Sequence, residues 1–340
     1  MTRDNEFKQH CLVIDHTDWS RNEKRHIKSE LKKFLDQGKP FPYKHFPPSY
    51  QWNFCSARLR DQDFSNWDGW EFRSDWAMTF RWGEHLKCPV PKWDGGPTNH
   101  LVVLGEQGVG DEILFMSALP DLQVRVGTKN IEFQTYPKLK SIVERSLGVR
   151  CTDRKHLTQV TEGQFVAALG DLFPWYRRDK SHFPRKQFLK ADPEKVEYWK
   201  GWLERFPRPW VGYAYRSRHG SFTQDEIRSA IGSVIDEGSL FNLQYDAENP
   251  NVPFDAKDDF ENLFAFVSAL DRVVSCTQTL VHVCGSLGKE CHAIIPPKNG
   301  EVDWYLWYHL AGQREGVKSW PHLVYGSVTV YETIEDFRGQ

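Results

Sequence analysis

Two stretches of this chain share one grammar, and together they constrain the fold more than any other feature. LVVL (101–104) is a short apolar strand, GEQGVGDE (105–112) a glycine-rich turn, and ILFMSAL (113–119) a helix by its spacing. RVVSC (272–276), a turn at Thr277, Gln278 and Thr279, and TLVHVCGSLG (279–288) repeat that order. A strand that ends in a tight turn and feeds a helix is the repeating unit of a parallel α/β layer.

The same alternation extends on both sides. IEFQTY (131–136) reads as a strand, PKLKSIVERSLG (137–148) as a helix with proline in its first turn and glycine after its end, and QFVAAL (164–169) as a strand. EKVEYWKGWLERF (194–206) is a helix that PRP (207–209) ends. WVGYAY (210–215), LFNLQY (240–245), RVVSC and ECHAIIP (290–296) are strands, with helices at 223–235, 258–270 and 279–288 between them. Four strands with three intervening helices make one Rossmann-like domain. The expectation is therefore an α/β chain with two such domains, 99–206 and 207–340, facing each other across a cleft.

Residues 1–98 have another texture. A helix is expected near 20–36, with Ser20 and Glu23 as a capping box and Ile27, Leu31, Phe34 and Leu35 as its apolar stripe. Lys24, Arg25, Lys28, Lys32 and Lys33 occupy the opposite face, either as a solvated surface or as a contact for an anionic partner. Residues 39–98 are rich in proline and aromatic residues without clear period, and read as an irregular or partly helical extension packed on the first domain.

Composition removes several classes. The chain has 44 basic and 46 acidic residues, a net −2, so it is not a broadly basic protein that coats nucleic acid or anionic membrane. No uncharged apolar run approaches the roughly 18 residues of a membrane span. The first residues, Met-Thr-Arg-Asp-Asn-Glu, lack a secretory core. Seven cysteines, an odd number with no Cys-x-x-Cys pair, argue against a disulfide scaffold or a cysteine-rich zinc module. Reduced thiols in a cytoplasm fit best.

The chemistry concentrates at the turns. Gly105, Gly108 and Gly110, with Gln107 among them, let backbone approach a ligand closely, and the helix that follows offers unpaired amides at its start. Asp111 falls in the first helical turn, as a reactive carboxylate or simply as a charge that favours the helix dipole. The spacing Gly-x-x-Gly-x-Gly is not a dinucleotide fingerprint, and no Lys-Ser/Thr follows as in a phosphate loop. In the second half, the hydroxyls and amide of Thr277, Gln278 and Thr279 suit a pyrophosphate. His282 is either part of that site or a satisfied core histidine. Arg216, Arg218 and His219 cluster past the 210–215 strand as phosphate contacts or a surface loop, and Gln244 and Asp246 end the next strand facing the same cleft. Asp61-Gln62-Asp63 has the form of a metal-holding Asp-x-Asp but sits in the irregular extension, where no nucleotide-binding strand precedes it. Cys284 and Cys291 with His282 and His292 fall in a helix and a strand, as core residues do.

Four segments in order resemble a known family. PVPKWDGGPTNHLVVLGEQGVGDEILFMSALPDL (89–122), FLKADPEKVEYWKGWLE (188–204), VGYAYRS (211–217) and ALDRVVSCTQTLVHVCGSLGK (269–289) resemble the glycosyltransferase-like domain that follows tetratricopeptide repeats in bacterial and phage proteins. That domain is similar to the family 9 glycosyltransferases, the heptosyltransferases of lipopolysaccharide. The resemblance covers about 89–325. It implies a GT-B architecture, a nucleotide-sugar donor held mainly by the C-terminal domain, and no metal or other cofactor. Asp111 matches the family's general base in an inverting displacement, Arg216 the strand-end contact to donor phosphate, and 277–282 the donor-binding segment. The family pattern Asp-Thr-x-x-x-His reads Thr277-Gln278 here, Tyr215 stands for tryptophan and Ser217 for glycine, and no tetratricopeptide array fits in 1–88. The implied acceptor is a hydroxyl of a glycan, a protein or a modified nucleic acid, including a hydroxylated DNA base as in phage DNA modification. The loss of aspartate at 277 leaves a second expectation, a protein of the same fold that binds without catalysis.

Overall fold

The computed structural model describes residues 20–36, 55, 59, 64, 67, 70, 92–154, 164–217, 220–235, 238–247, 251–296 and 323–339. α1 (Arg21–Asp36) buries Ile27 and Leu31 and turns its lysines outward. Lys32 and Lys33 pair with Asp36 and Glu30 on its surface. The side chains of Glu23, Phe34 and Leu35 lie outside the described residues.

The first half is a four-stranded parallel sheet. β1 (Leu101–Leu104), β2 (Ile131–Thr135), β3 (Arg150–Asp153) and β4 (Phe165–Ala168) lie in the order β3-β2-β1-β4. Leu101 pairs with Ile131 on one side and Phe165 on the other. Every residue of β1 and β2 is buried, as expected of parallel strands covered on both faces. α2 (Val109–Met116) follows β1, then α3 (Leu119–Val126). α4 (Lys140–Leu147) joins β2 to β3, and α5 (Leu172–Tyr176) follows β4. Gly148 closes α4 in the left-handed conformation, φ 65°.

The second half begins with α6 (Pro193–Leu203), whose first turn is capped by the Asp192 carboxylate on the amides of Glu194 and Lys195. β5 (Trp210–Ala214) is followed by a two-stranded antiparallel ribbon, β6 (Arg216–Ser217) and β7 (Gly220–Ser221). Next come α7 (Gln224–Val234), β8 (Ser239–Asn242), α8 (Phe260–Ala269), β9 (Arg272–Cys276), α9 (Thr279–Leu287), β10 (Cys291–Ile294), β11 (Val328–Tyr331) and α10 (Ile334–Arg338). Its five-stranded parallel sheet has the order β11-β10-β9-β5-β8. The chain is thus α/β with two parallel sheets.

Several elements differ from the sequence expectation. The helix after the first glycine-rich turn starts at Val109 rather than 113, because Gly108 serves as its N-cap, and it breaks at Ser117 and Ala118 into two helices. β3, α3, β11 and α10 are additional, so the second sheet has five strands where four were expected. α6, placed by sequence with the first half, packs on α8 of the second, with Trp199 wedged against Phe254 and Phe266.

The described residues of the aromatic segment are core residues of the first half. Phe64, Trp67 and Trp70 contact Phe183, Phe173 and Phe115. The indole N–H groups of Trp67 and Trp70 donate to the Arg177 and Gly170 carbonyls, each at 3.1 Å. One continuous apolar cluster then runs through both halves, and a second fills the other face of the C-terminal sheet under α7 and α10. Among the described residues no helix is long and apolar enough to cross a membrane.

Gly285 in α9 lies against the buried Tyr325 ring, and a β-carbon there would collide with the ring near its root. Helix propensity alone favours alanine by about 1 kcal/mol. The clash outweighs it, because the ring is anchored and cannot swing away. Gly285→Ala is expected to destabilise the fold by about 1–3 kcal/mol, read from denaturant midpoints; a stabilised variant would contradict this packing.

Candidate active site

In each sheet the chain reverses its direction of strand addition once, between β1 and β4 in the first and between β5 and β9 in the second. Open parallel sheets bind ligands outside the strand C-termini at such switch points. Both turns singled out in the sequence start there.

At the first switch point the turn is built on buried carboxylates. Glu106 is 2% exposed and accepts the Gly170 amide at 2.5 Å, bridging the ends of β1 and β4. Glu112, fully buried, lies under Gly105, where any β-carbon would strike its Oε2 and the Gln134 carbonyl; this is why 105 is glycine. Glu112 Oε1 accepts from Thr135 Oγ1 (2.5 Å) and the Tyr136 amide (3.1 Å), and Oε2 pairs with Arg154 at 2.8 Å. Gln107 adopts φ 59°, a left-handed conformation uncommon for a residue with a side chain. Its carbonyl accepts from Tyr136 Oη at 2.9 Å and Arg154 at 3.3 Å. Asp111, partly buried at the third position of α2, accepts the Gly108 amide on Oδ2 at 3.2 Å.

Gln244 organises the second switch point. It is 3% exposed, and its Oε1 accepts the amides of Tyr215 (3.2 Å) and Arg216 (3.0 Å). The same oxygen meets Gln278 Nε2 at 3.4 Å, and Gln244 Nε2 donates to Asp246 at 2.8 Å. The ends of β5, β8 and β9 are thereby tied together. Arg216, half-exposed, pairs with Asp246 at 2.6 Å. Burial raises the Asp246 pKa, but hydrogen bonds from Arg216 and Gln244 outweigh it and hold the carboxyl below the usual range. Thr277 is buried. Gln278 is the N-cap of α9 and makes no side-chain capping bond, so the first amides of α9 keep their affinity for an anion. Burial raises the Cys276 thiol well above its ordinary value, which removes it as a nucleophile.

The two turns meet. α2 packs directly on α9, and a β-carbon at Gly110 would lie 2.9 Å from His282 Cδ2 and 3.4 Å from Thr279 Cα. Gly110 is thus brought against Thr279 and His282, with Asp111 next to it in α2 and Thr277, Gln278, Gln244 and Arg216 along the adjoining sheet edge, while Gly105, Gln107 and Gly108 lie in the turn before α2, Gly105 over Glu112. His282 lies beneath this contact, 3% exposed, with Nδ1 at 3.0 Å from Tyr325 Oη. Burial lowers its pKa to about 3, so the ring is neutral. Burial and the nearby Asp111 charge raise the Tyr325 phenol well above its ordinary value. Tyr325, Glu112 and Arg154 join the site in the structure without standing out in the sequence. Glu112 adjoins Asp111 in the motif, but Tyr325 and Arg154 carry no local signal.

Arg218 and His219 lie outside the described residues, as do Asp61 and Asp63. Among the described residues no group of three or more His, Cys, Asp or Glu is placed to hold a metal ion. Cys284 and Cys291 are buried in the core, while His292 contacts Tyr331 and Glu290.

No family model matches the chain. Protein FlbA of Caulobacter vibrioides is 23% identical over 286 residues, 71% of this chain and 48% of its own length, so the chain spans about half of that relative. Among solved structures, E. coli ADP-heptose lipopolysaccharide heptosyltransferase II aligns over 68% of this chain and 90% of its own, at 13% identity and TM-score 0.43. TibC of enterotoxigenic E. coli H10407, an iron-containing dodecameric heptosyltransferase solved with ADP-D-β-D-heptose, aligns over 59% of each chain at 11% identity and TM-score 0.41.

The neutral His282 ring makes a pH prediction. Its folded pKa, about 3, lies below the unfolded value near 6.5, so the unfolded state binds more protons between them. The stability it contributes is complete above pH 6.5 and falls as pH drops, by at most about 1.4 kcal/mol per unit. Denaturant midpoints measured between pH 7 and 4.5 are expected to fall more steeply for the wild type than for His282→Gln, which keeps a polar partner for Tyr325; parallel curves would refute the assignment.

Proposed function

We propose that this chain is an inverting, metal-independent glycosyltransferase of GT-B architecture. It moves a sugar from a nucleotide-sugar donor to an acceptor hydroxyl. The observation that carries the reading is the contact at Gly110, which sets the carboxylate-bearing turn of one sheet against the anion-suited turn of the other. The four ordered motifs that resemble family 9 glycosyltransferases support it.

This reading implies the following steps. The acceptor oxygen attacks the anomeric carbon as the bond to the diphosphate oxygen breaks, so the configuration inverts in one displacement. The hydroxyl proton passes to Asp111. A sugar hydroxyl is a weak nucleophile, and such proton transfer contributes about 10²–10⁴-fold. The leaving diphosphate gains charge, which the first amides of α9 stabilise in place and Arg216 stabilises once it exchanges Asp246 for the diphosphate. Thr277, Gln278, Thr279 and Gln244 line the donor side, with Arg218 and His219 as additional phosphate contacts. The acceptor is a glycan, protein or modified nucleic acid hydroxyl.

Thr277, where the family has aspartate, favours a second reading, a protein of this fold that binds nucleotide without transferring sugar. One experiment separates them. Isothermal titration with nucleoside diphosphates and sugar nucleotides, ADP-heptose first, finds the donor, and transfer is then assayed for wild type and Asp111→Asn. The proposal expects unchanged nucleotide affinity and transfer reduced by about 10²–10⁴-fold. Binding without any wild-type transfer favours the second reading, and near-wild-type turnover by Asp111→Asn sinks the role given to that residue.

A further inference from the structure

The Gln107–Gly108 peptide is engaged at both ends. Its carbonyl accepts from Tyr136 Oη (2.9 Å) and Arg154 (3.3 Å), while its N–H donates to Asp111 Oδ2 (3.2 Å). A trans peptide holds its oxygen and its hydrogen on opposite sides of one rigid plane. Whatever fixes the oxygen therefore fixes the direction of the hydrogen. The left-handed φ of Gln107 is the local cost of turning that plane, and the two donors on the carbonyl offset it.

The donors are themselves held from below. The Arg154 guanidinium lies 4.1 Å from the Tyr136 ring centre and pairs with the fully buried Glu112 carboxylate at 2.8 Å. Glu112 also accepts the Tyr136 amide and the Thr135 hydroxyl, so the pair rests on the end of β2 rather than on the mobile end of a side chain. A cation and a hydroxyl on the carbonyl oxygen also polarise the amide and strengthen its N–H as a donor to a carboxylate.

We propose that Tyr136 and Arg154 are positioning residues for Asp111, acting through the Gln107–Gly108 peptide plane. They touch neither donor nor acceptor. They aim the Gly108 N–H at Asp111 Oδ2, which fixes the rotation of the carboxylate. The inference rests on the glycosyl-transfer reading for its consequence in turnover, but its structural claim stands apart from it.

The test uses Tyr136→Phe, which removes one hydroxyl and keeps the ring under Arg154, and Arg154→Lys, which keeps a cation beside Glu112 without the planar fork. The Asp111 carboxyl is followed by ¹³C NMR titration in the full chain, its signal identified by its loss in Asp111→Asn. A weaker N–H to the charged carboxylate raises the pKa, so an upward shift of about 0.5 unit or more is expected in Tyr136→Phe. In the transfer assay kcat is expected to fall about tenfold with unchanged donor affinity, the acid limb of its pH profile moving up in step. An unchanged Asp111 titration in both variants overturns the proposal, whether or not the chain transfers sugar. A fall in donor affinity and melting temperature with no titration shift also overturns it, because that pattern marks a purely structural role. A shifted titration in a wild-type background that transfers nothing keeps the positioning and removes the glycosyl-transfer reading instead.

Discussion

How closely α2 can approach α9 decides the rest of the site. Two helices bearing side chains at their contact stand 8–10 Å apart. Here the contact falls on Gly110, in the first turn of one helix, against Thr279 and His282 in the first turn of the other. Bringing two helix N-termini together is electrostatically unfavourable, since both carry partial positive charge. Asp111 and Glu112 in the first turn of α2 answer that charge on one side, and a neutral rather than protonated His282 avoids adding to it on the other. The approach therefore demands a glycine, a carboxylate and a buried uncharged imidazole at these positions, and the sequence supplies all three.

The seam is apolar as well as close. One hydrophobic cluster crosses it, and polar latches flank it: Arg145 meets Glu261 with two hydrogen bonds of 3.1 and 2.9 Å, and Lys138 reaches the Lys257 carbonyl over the Phe260 ring. Both join α4 and the segment before it to the start of α8. Interfaces between domains are commonly polar and permissive of motion. Separating this one would expose the apolar cluster, so movement of one sheet against the other is expected to pivot near α2 and α9 rather than part them.

Much of this was legible in the sequence, for a physical reason. The strands at 101–104 and 272–276 and the helix at 279–287 were read nearly to the residue, because buried parallel strands are unbroken apolar runs and a left-handed glycine such as Gly288 marks the helix end. α2 starts four residues before its apolar run suggests, because its cap is Gly108, which also reads as turn. β11, of four residues, and α10, of five, carry no sequence signal because such short elements hold little period. At the site, Asp111 and the glycines announce themselves by spacing. Tyr325 and Arg154 do not, since each reaches the site from a distant part of the chain, and only packing reveals that Tyr325 fills the notch left by Gly285. The sequence also left open whether His282 belongs to the core or to the ligand. It is buried beneath the seam, with Nδ1 against the Tyr325 hydroxyl.

The departure at Thr277 then looks less severe. A buried carboxylate there would need its own partners or a neutral form, whereas the threonine asks for little. The negative charge on that sheet edge is instead carried by Asp246, half-exposed and paired with Arg216. An exposed ion pair of this kind is worth only about 0–1 kcal/mol. On the proposed function, a diphosphate arriving at the α9 N-terminus competes for Arg216 at little expense, because the pair it displaces is exposed and the diphosphate carries more negative charge than one carboxylate. Gln244 keeps its hold on the Tyr215 and Arg216 amides through that exchange, so the arginine changes partner while the strand end beneath it does not move. A site that keeps its backbone fixed and lets one exposed side chain switch partners needs no charged residue at 277 to receive a donor.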